Sequence, residues 1–306
     1  MAQLIKMYNY ISRYEWNIYR YPSQFIRMKK EHWDKVYNLW SLEKQSYTNE
    51  VDAEEEMENT RFFSKWKLFS RKNETQDFEE ESKTELPETL SDLKRYFLDK
   101  LLPTQIKWAS STISYVSFVK QTIYQHELLQ YFLQRFPDTY LLMYYPVFSI
   151  KNVPVDGEII LISPIGIEVI YILEEDNATF VASDERSWVK VKDNKESKFL
   201  SPMVSLKRTE HMISSIFKQG KIDFPIHKVI LSRKNKIVHT TEPYRTKLVG
   251  VAEYEKWFEE KRNLVSPLKN RQLRAAEELL KYCQSNYVKR PEWEEDTNPF
   301  KFDEEE

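Results

Sequence analysis

The sequence predicts an α/β protein: a mixed sheet flanked by helices, with a helical N-terminal region and C-terminal helices. Three observations predict it. Pro154 to Glu174 reads PVDGEIILISPIGIEVIYILE, an acidic entry, an apolar run, a Pro-Ile-Gly turn and a second apolar run. Two short apolar runs around such a turn are the pattern of neighbouring strands. A strand-like segment precedes this hairpin, and a helix and another apolar run follow it. That order favours a mixed sheet with helices on both faces. The flanking segments carry apolar residues at helical spacing.

Composition bounds the function. The chain has 306 residues, enough for a sizeable core. It contains only 4 glycines and neither a GxGxxG nor a GxxxxGK[ST] pattern, which argues against glycine-rich phosphate loops. A net charge of −2 argues against a general nucleic-acid coat and leaves local basic patches. One cysteine, Cys283, excludes an internal disulfide and a cysteine zinc cage. No stretch reads as a signal peptide or as a membrane span of roughly 20 apolar residues. The expectation is a cytoplasmic protein with no integral membrane segment.

In chain order, residues 1–45 read as N-terminal helices. Leu4, Ile5, Tyr8 and Ile11 recur at helical spacing, and Phe25, Ile26, Trp33, Val36, Tyr37 and Trp40 form a second apolar face. Residues 46–90 read as an acidic, partly disordered linker around a basic aromatic stretch, RFFSKWKLFSRK, Arg61 to Lys72. That stretch suits an anionic membrane surface or a partner groove, or it docks on the body as a short helix.

Residues 91–240 read as one α/β domain. Thr89 with Asp92 resembles a helix start, and the helix runs to Pro103. Ile106 to Phe136 reads as one or two long helices, and Tyr140 to Ile150 as a strand. After the hairpin, Phe180 to Ala182 and Trp188 to Val191 are short strands. Ser201-Pro202 opens a helix, with Gly220 as its C-cap. Ile226 to Leu231 is a buried strand, and Lys236 to His239 is a candidate for another. Residues 241–287 supply C-terminal helices, and 288–306 an acidic tail that frays.

These residues carry a resemblance. From about Gln125 to Leu231 the chain resembles the nuclease-related domain (NERD) family, which is related to the PD-(D/E)XK restriction-endonuclease-like fold. The matched features are the helix-borne pair His126-Glu127, the strand Leu141 to Ile150, and Asp156 opening the hairpin. They continue with the Gly166 turn, Trp188, Ser201-Pro202-Met203-Val204-Ser205 where the family has Asn-Pro-x-x-Gln, and the strand Val229 to Leu231. The resemblance implies a restriction-endonuclease-like sheet and, in active members, Mg²⁺- or Mn²⁺-dependent cleavage of nucleic acid.

The chain departs from the family at the chemistry. Counted from Gly166, the Glu-x-Lys positions hold Tyr171 and Leu173. Metal-aided hydrolysis needs hard oxygen ligands and an activated water. Tyrosine is neutral near pH 7, and leucine supplies nothing. Glu127 and Asp156 remain as vestigial catalytic candidates. Glu168 and Glu174 lie on the strand face opposite Tyr171 and Leu173. The favoured expectation is a catalytically degenerate domain that binds or scaffolds, with nucleic acid or a protein as partner and no cofactor. The alternatives are a divergent Mg²⁺ or Mn²⁺ nuclease using Glu127, Asp156 and Glu168 or Glu174, and a membrane or partner-recruitment protein using residues 61–72. The five histidines show no metal spacing. There is no Gly-x-Ser-x-Gly elbow, and Cys283 has no evident base.

Overall fold

The computed structural model describes residues 1–49, 86–183, 186–240 and 242–290. The basic aromatic stretch 61–72 and residues 291–306 of the acidic tail 288–306 lie outside them; Val288–Lys289, expected to fray with that tail, pair as a short strand. The chain forms two compact units, Met1–Ile26 with Lys100–Glu306, and Arg27–Asp99.

The elements, in order, begin with β1 (Gln3–Met7), α1 (Arg13–Trp16), α2 (Tyr21–Asn49), α3 (Leu90–Trp108) and β2 (Tyr115–Val116). A 3₁₀ turn (Gln121–Gln125) leads to α4 (Glu127–Arg135), β3 (Leu141–Tyr144), β4 (Val147–Ile150) and β5 (Val153–Asp156). Then come β6 (Ile159–Ile162), β7 (Ile167–Ile172), β8 (Ala178–Val181), β9 (Ser187–Lys192), β10 (Lys195–Leu200) and α5 (Pro202–Gly220). The chain continues with β11 (Ile226–Leu231), β12 (Lys236–Val238), β13 (Thr246–Val249), α6 (Val251–Arg262), α7 (Asn270–Lys281) and β14 (Val288–Lys289).

The described residues of the smaller unit, 27–49 and 86–99, are mainly helical. Trp33 meets Phe97 edge-on at 5.3 Å, and the Trp40 indole donates to the Pro87 carbonyl at 2.6 Å. Thr89 Oγ1 accepts from the Asp92 amide at 3.1 Å, capping α3.

The larger unit is built on a mixed six-stranded sheet in the order β1-β3-β6-β7-β11-β13. β3, β6 and β7 form an antiparallel meander, whereas β1–β3, β7–β11 and β11–β13 pair in parallel. The hairpin that opened the sequence reading supplies the two central strands. All four residues of β6 are buried, the composition a strand acquires when both faces are covered. On one face Leu141, Met143, Ile160, Ile162, Ile167, Val169 and Ile230 pack with Leu206, Ile213 and Ile216 of α5 and Ala275, Ala276 and Leu279 of α7. Side chains alternate along a strand, so Glu168 points the other way, where it pairs with Lys261 of α6. On that side Phe136 meets Trp257 at 5.9 Å and Phe258 at 5.6 Å, which joins α4 to α6. A second, smaller sheet runs β10-β9-β8-β12.

Five expectations change here. Residues 3–7 form a strand, not a helix. Leu4, Ile5 and Met7 are fully buried, and over five residues helical and strand spacing cannot be told apart. The outer edge of β1 is closed by one side chain: Gln105 Oε1 accepts from the Leu4 amide at 2.8 Å, and its Nε2 donates to the Ala2 carbonyl at 2.7 Å. Pro103 lies inside α3 rather than at its end. The stretch 106–136 breaks at Trp108 and becomes helical again only at the 3₁₀ turn and α4. β10 and β13 had no distinctive pattern; β10 is mostly exposed and charged. Gly220 is the last residue of α5, and Lys221 takes the left-handed capping conformation at φ 50°.

Residues 90–99 of α3 belong to the smaller unit and residues 100–108 to the larger. Among the described residues no helix is long and apolar enough to cross a membrane.

Candidate functional site at the sheet edge

The pairing directions bring the C-terminal ends of β1, β3, β7, β11 and β13 to one edge of the large sheet, together with the start of β6. The side chains that gather there come from five segments.

β5 ends at Asp156, and Gly157 carries the chain into β6. A Cβ on Gly157 would stand 2.9 Å from Phe148 Cε2 and 3.1 Å from the Pro146 carbonyl oxygen, so a larger residue would displace a buried ring. Glu158 follows. Its amide donates to Thr209 Oγ1 at 3.2 Å, and its carboxylate accepts from the Ser205 hydroxyl. Arg208 Nη2 donates to the Asp156 carbonyl at 3.3 Å. The first half of α5 thus clamps the mouth of β6. Ser201 sets that helix's start, its side chain accepting from the Met203 amide at 3.3 Å with Pro202 in the first turn.

In the β6–β7 ladder Ile159 opposes Ile170, so Glu158 stands against Tyr171. Burial pushes the Glu158 carboxyl above its ordinary range, partly offset by the Ser205 hydrogen bond and the Arg208 charge. Burial also raises the Tyr145 and Tyr171 phenols, and the nearby Glu158 carboxylate raises them further. Tyr8 follows β1 and Tyr145 follows β3. Both take left-handed backbone, φ 48° and 45°, and their rings lie nearly parallel, 11° between planes with centroids 6.5 Å apart. For a bulky residue this conformation costs about 1–2 kcal/mol.

The residues singled out by sequence fall into separate places. Asp156 is exposed at the end of β5. Tyr171 faces Glu158, and Leu173 is buried in the core. Glu168 pairs with Lys261 on the opposite face. Glu174 makes a two-pronged pair with Arg233, Nε to Oε1 and Nη2 to Oε2, both at 2.7 Å. Burial alone would raise the Glu174 carboxyl, but the Arg233 hydrogen bonds outweigh it and hold it below its ordinary range. Glu127 is exposed at the start of α4 and lines a cleft of about 700 Å³ with Glu174, Glu175, Asp176, Arg233 and Lys234. Its neighbour His126 contacts the Tyr144 hydroxyl at 3.3 Å through Nδ1.

Among the described residues no three His, Cys, Asp or Glu side chains gather as cation ligands. At Glu158 the donor set is one carboxylate, one hydroxyl and phenols, with a guanidinium beside them. Mg²⁺ is held by carboxylates and waters in near-octahedral geometry, and a neighbouring Arg208 charge opposes a cation. The set suits hydrogen bonding and ring stacking instead.

The sequence reading places Tyr8 on a helical apolar face and assigns no site role to Glu158, Tyr145 or Arg208. The hairpin register was the available signal: counting back across the turn from Tyr171 reaches Glu158, not Asp156. Tyr8 and Tyr145 left no signal, because positive φ at tyrosine is not written in local composition.

One outcome follows from the raised Glu158 carboxyl. Below its ordinary value of 4.5 both folded and unfolded states hold the proton. As pH rises toward the higher folded value the unfolded chain ionises first, so stability falls. Glu158→Gln removes that penalty. Urea unfolding from pH 4 to 8 should show the variant gaining on the wild type as pH rises. A difference that is flat or reversed with pH would contradict this assignment.

No family model matches the chain, and no solved structure matches it. An RNA 2',3'-cyclic phosphodiesterase from Geobacillus stearothermophilus is 43% identical over 44 residues, which is 14% of this chain and 14% of that protein.

Proposed function

We propose that the larger unit is a nuclease-related (NERD-like) domain of restriction-endonuclease-like type that has lost metal chemistry and serves as a binding module for nucleic acid. The order α4, β3-β6-β7 meander, α5, β11 supports the fold reading: a helix, three antiparallel strands, a helix and a strand parallel to the third. One observation carries the functional reading. At the strand mouth the Glu158 carboxylate is tied to Ser205 and faces a phenol, Asp156 beside it is exposed, and Glu168 and Glu174 are spent on Lys261 and Arg233. On the Tyr171 face Lys228 and Glu210 are paired with each other, and among the described residues no three His, Cys, Asp or Glu side chains gather as cation ligands. Fold likeness alone never fixes activity; the reading rests on these side chains. The relative that acts on RNA agrees with nucleic acid as ligand class, over a short match only.

The test is incubation of the purified chain with single- and double-stranded DNA and RNA, with Mg²⁺ or Mn²⁺. Retarded mobility of single-stranded substrate without cleavage is the expected result. Metal-dependent cutting that disappears in Asp156→Ala or Glu158→Gln would overturn it.

A further inference from the structure

The sheet edge contains a feature that a non-cleaving nuclease fold does not require. Among the described residues nine non-glycine positions have positive φ, and seven of them are Asn, Asp, Lys or Arg. The other two are Tyr8 and Tyr145, which end adjacent parallel strands, β1 and β3. A β-turn residue such as Asn would take this backbone with less strain. Strained residues persist where the surroundings over-determine them, and they concentrate at ligand sites. Here the common conformation sets two phenol rings nearly parallel, 6.5 Å apart between centroids, and both rings are only partly buried. Tyr10 stands edge-on to Tyr8 at 6.0 Å, and Tyr144 edge-on to Tyr145 at 4.8 Å, so the pair is buttressed from both sides.

Continuing the β3–β6 register, Glu158 stands opposite Tyr145, the nearer of these rings. Ser205 takes up Oε1, and Oε2 accepts no hydrogen bond among the described residues. Arg208 is exposed on the same side, its guanidinium next to the Asp156 carbonyl. Flat electron-rich rings, a carboxylate acceptor and an exposed guanidinium make a three-part recognition set. Rings stack on a base irrespective of its identity. A carboxylate selects a base edge that carries adjacent N–H donors. A guanidinium takes a phosphate. Of the four common bases, guanine alone offers both a ring N–H and an adjacent amino group on its pairing edge.

We infer that Tyr8, Tyr145, Glu158 and Arg208 form a binding site for a guanine nucleotide, the base stacked on the tyrosines, its N–H edge on Glu158 and its phosphate toward Arg208. This rests on the proposed function only in the ligand class, and it deepens that reading by naming the base. The ligand has two sources, a free guanosine monophosphate and a guanosine within single-stranded nucleic acid, and both present the same edge.

The experiment is calorimetric titration of the full chain with GMP, AMP, CMP and UMP, and with a uridine oligomer carrying one guanosine. GMP is expected to bind about tenfold or more tighter than the other three monophosphates, because a carboxylate left without its donors loses a charge-assisted bond. Glu158→Gln should abolish that preference while AMP binding is unchanged. Tyr145→Asn tolerates the left-handed backbone and removes the ring, and it should weaken all four ligands; an unchanged melting temperature certifies its fold. Tighter binding of the oligomer than of GMP assigns nucleic acid as the source, and the reverse assigns the free nucleotide; either supports the site. Equal affinities for all four bases, no binding of any, or a GMP preference that survives Glu158→Gln would overturn it. These failures are separable from those of the proposed function. Retardation of polynucleotide with no guanine preference sinks only this inference, and metal-dependent cutting sinks only the other.

Discussion

Lys6→Ala should lower the unfolding free energy by about 3–5 kcal/mol, the cost of breaking a buried ion pair from one side. Lys6 is fully buried on β1. Its ammonium has three donors, and the structure provides three acceptors: the Tyr10 carbonyl at 2.7 Å, Glu15 Oε1 at 2.5 Å and Ser285 Oγ at 2.7 Å. Ser285 in turn donates to the Glu15 carboxylate, Oε2 at 2.8 Å. The cluster therefore ties the first strand, the short helix α1 and the segment after α7 through one charge. Removing the lysine leaves the largely buried Glu15 carboxylate with the Ser285 hydroxyl as its side-chain partner among the described residues. A loss of this size is a large part of the 5–15 kcal/mol that usually separates folded from unfolded domains. Urea unfolding of Lys6→Ala, Lys6→Met and the double variant Lys6→Met with Glu15→Leu would measure it. The double variant should recover part of the loss, since an apolar pair can replace a buried ionic one. A Lys6→Met protein as stable as the wild type would show that the cluster contributes nothing.

Asn235→Ala should cost about 3 kcal/mol. The Asn235 amide is buried and used at both ends. Oδ1 accepts from the Glu175 amide at 3.0 Å and from Ser232 Oγ at 3.1 Å. Nδ2 donates to the carbonyls of Glu175 at 2.6 Å and Ala178 at 2.7 Å. One side chain thus joins the β7–β8 connection to the β11–β12 turn. Alanine strands several buried backbone groups, each costing about 1–3 kcal/mol when unpaired. Asn235→Asp should be nearly as damaging, because a carboxylate cannot donate to two carbonyls. Thermal unfolding of both variants tests this. An aspartate variant at wild-type stability would refute the donor role. The turn also carries Arg233, whose pair with Glu174 should loosen in either variant.

Much of the architecture was legible in the sequence. The apolar runs Ile159–Ile162 and Ile167–Ile172 declare themselves as strands because they are buried on both faces, and no other element type needs so short a run. Ser201-Pro202 marks a helix start because an N-cap oxygen followed by a residue without an amide proton suits no other place. β1 was not legible. Its burial is supplied by Gln105 and β3, about a hundred or more residues distant, and its own spacing is ambiguous. β13 and β10 were hidden for the same reason, since pairing partners rather than composition make them strands.

The site divides along the same line. By itself the sequence determined that Tyr171 and Leu173, rather than a carboxylate and an amine, stand five and seven residues after the Gly166 turn, because residue type at a fixed distance from a turn is a local property. Alternation likewise set Glu168 on the opposite face. Only the tertiary structure decided that Glu158 rather than Asp156 confronts Tyr171, that Glu174 is held by Arg233, and that Tyr8 and Tyr145 lie side by side. Those facts depend on cross-strand register, on ion partners brought from other elements, and on backbone angles imposed where two parallel strands end together, none of which a linear string of residues specifies.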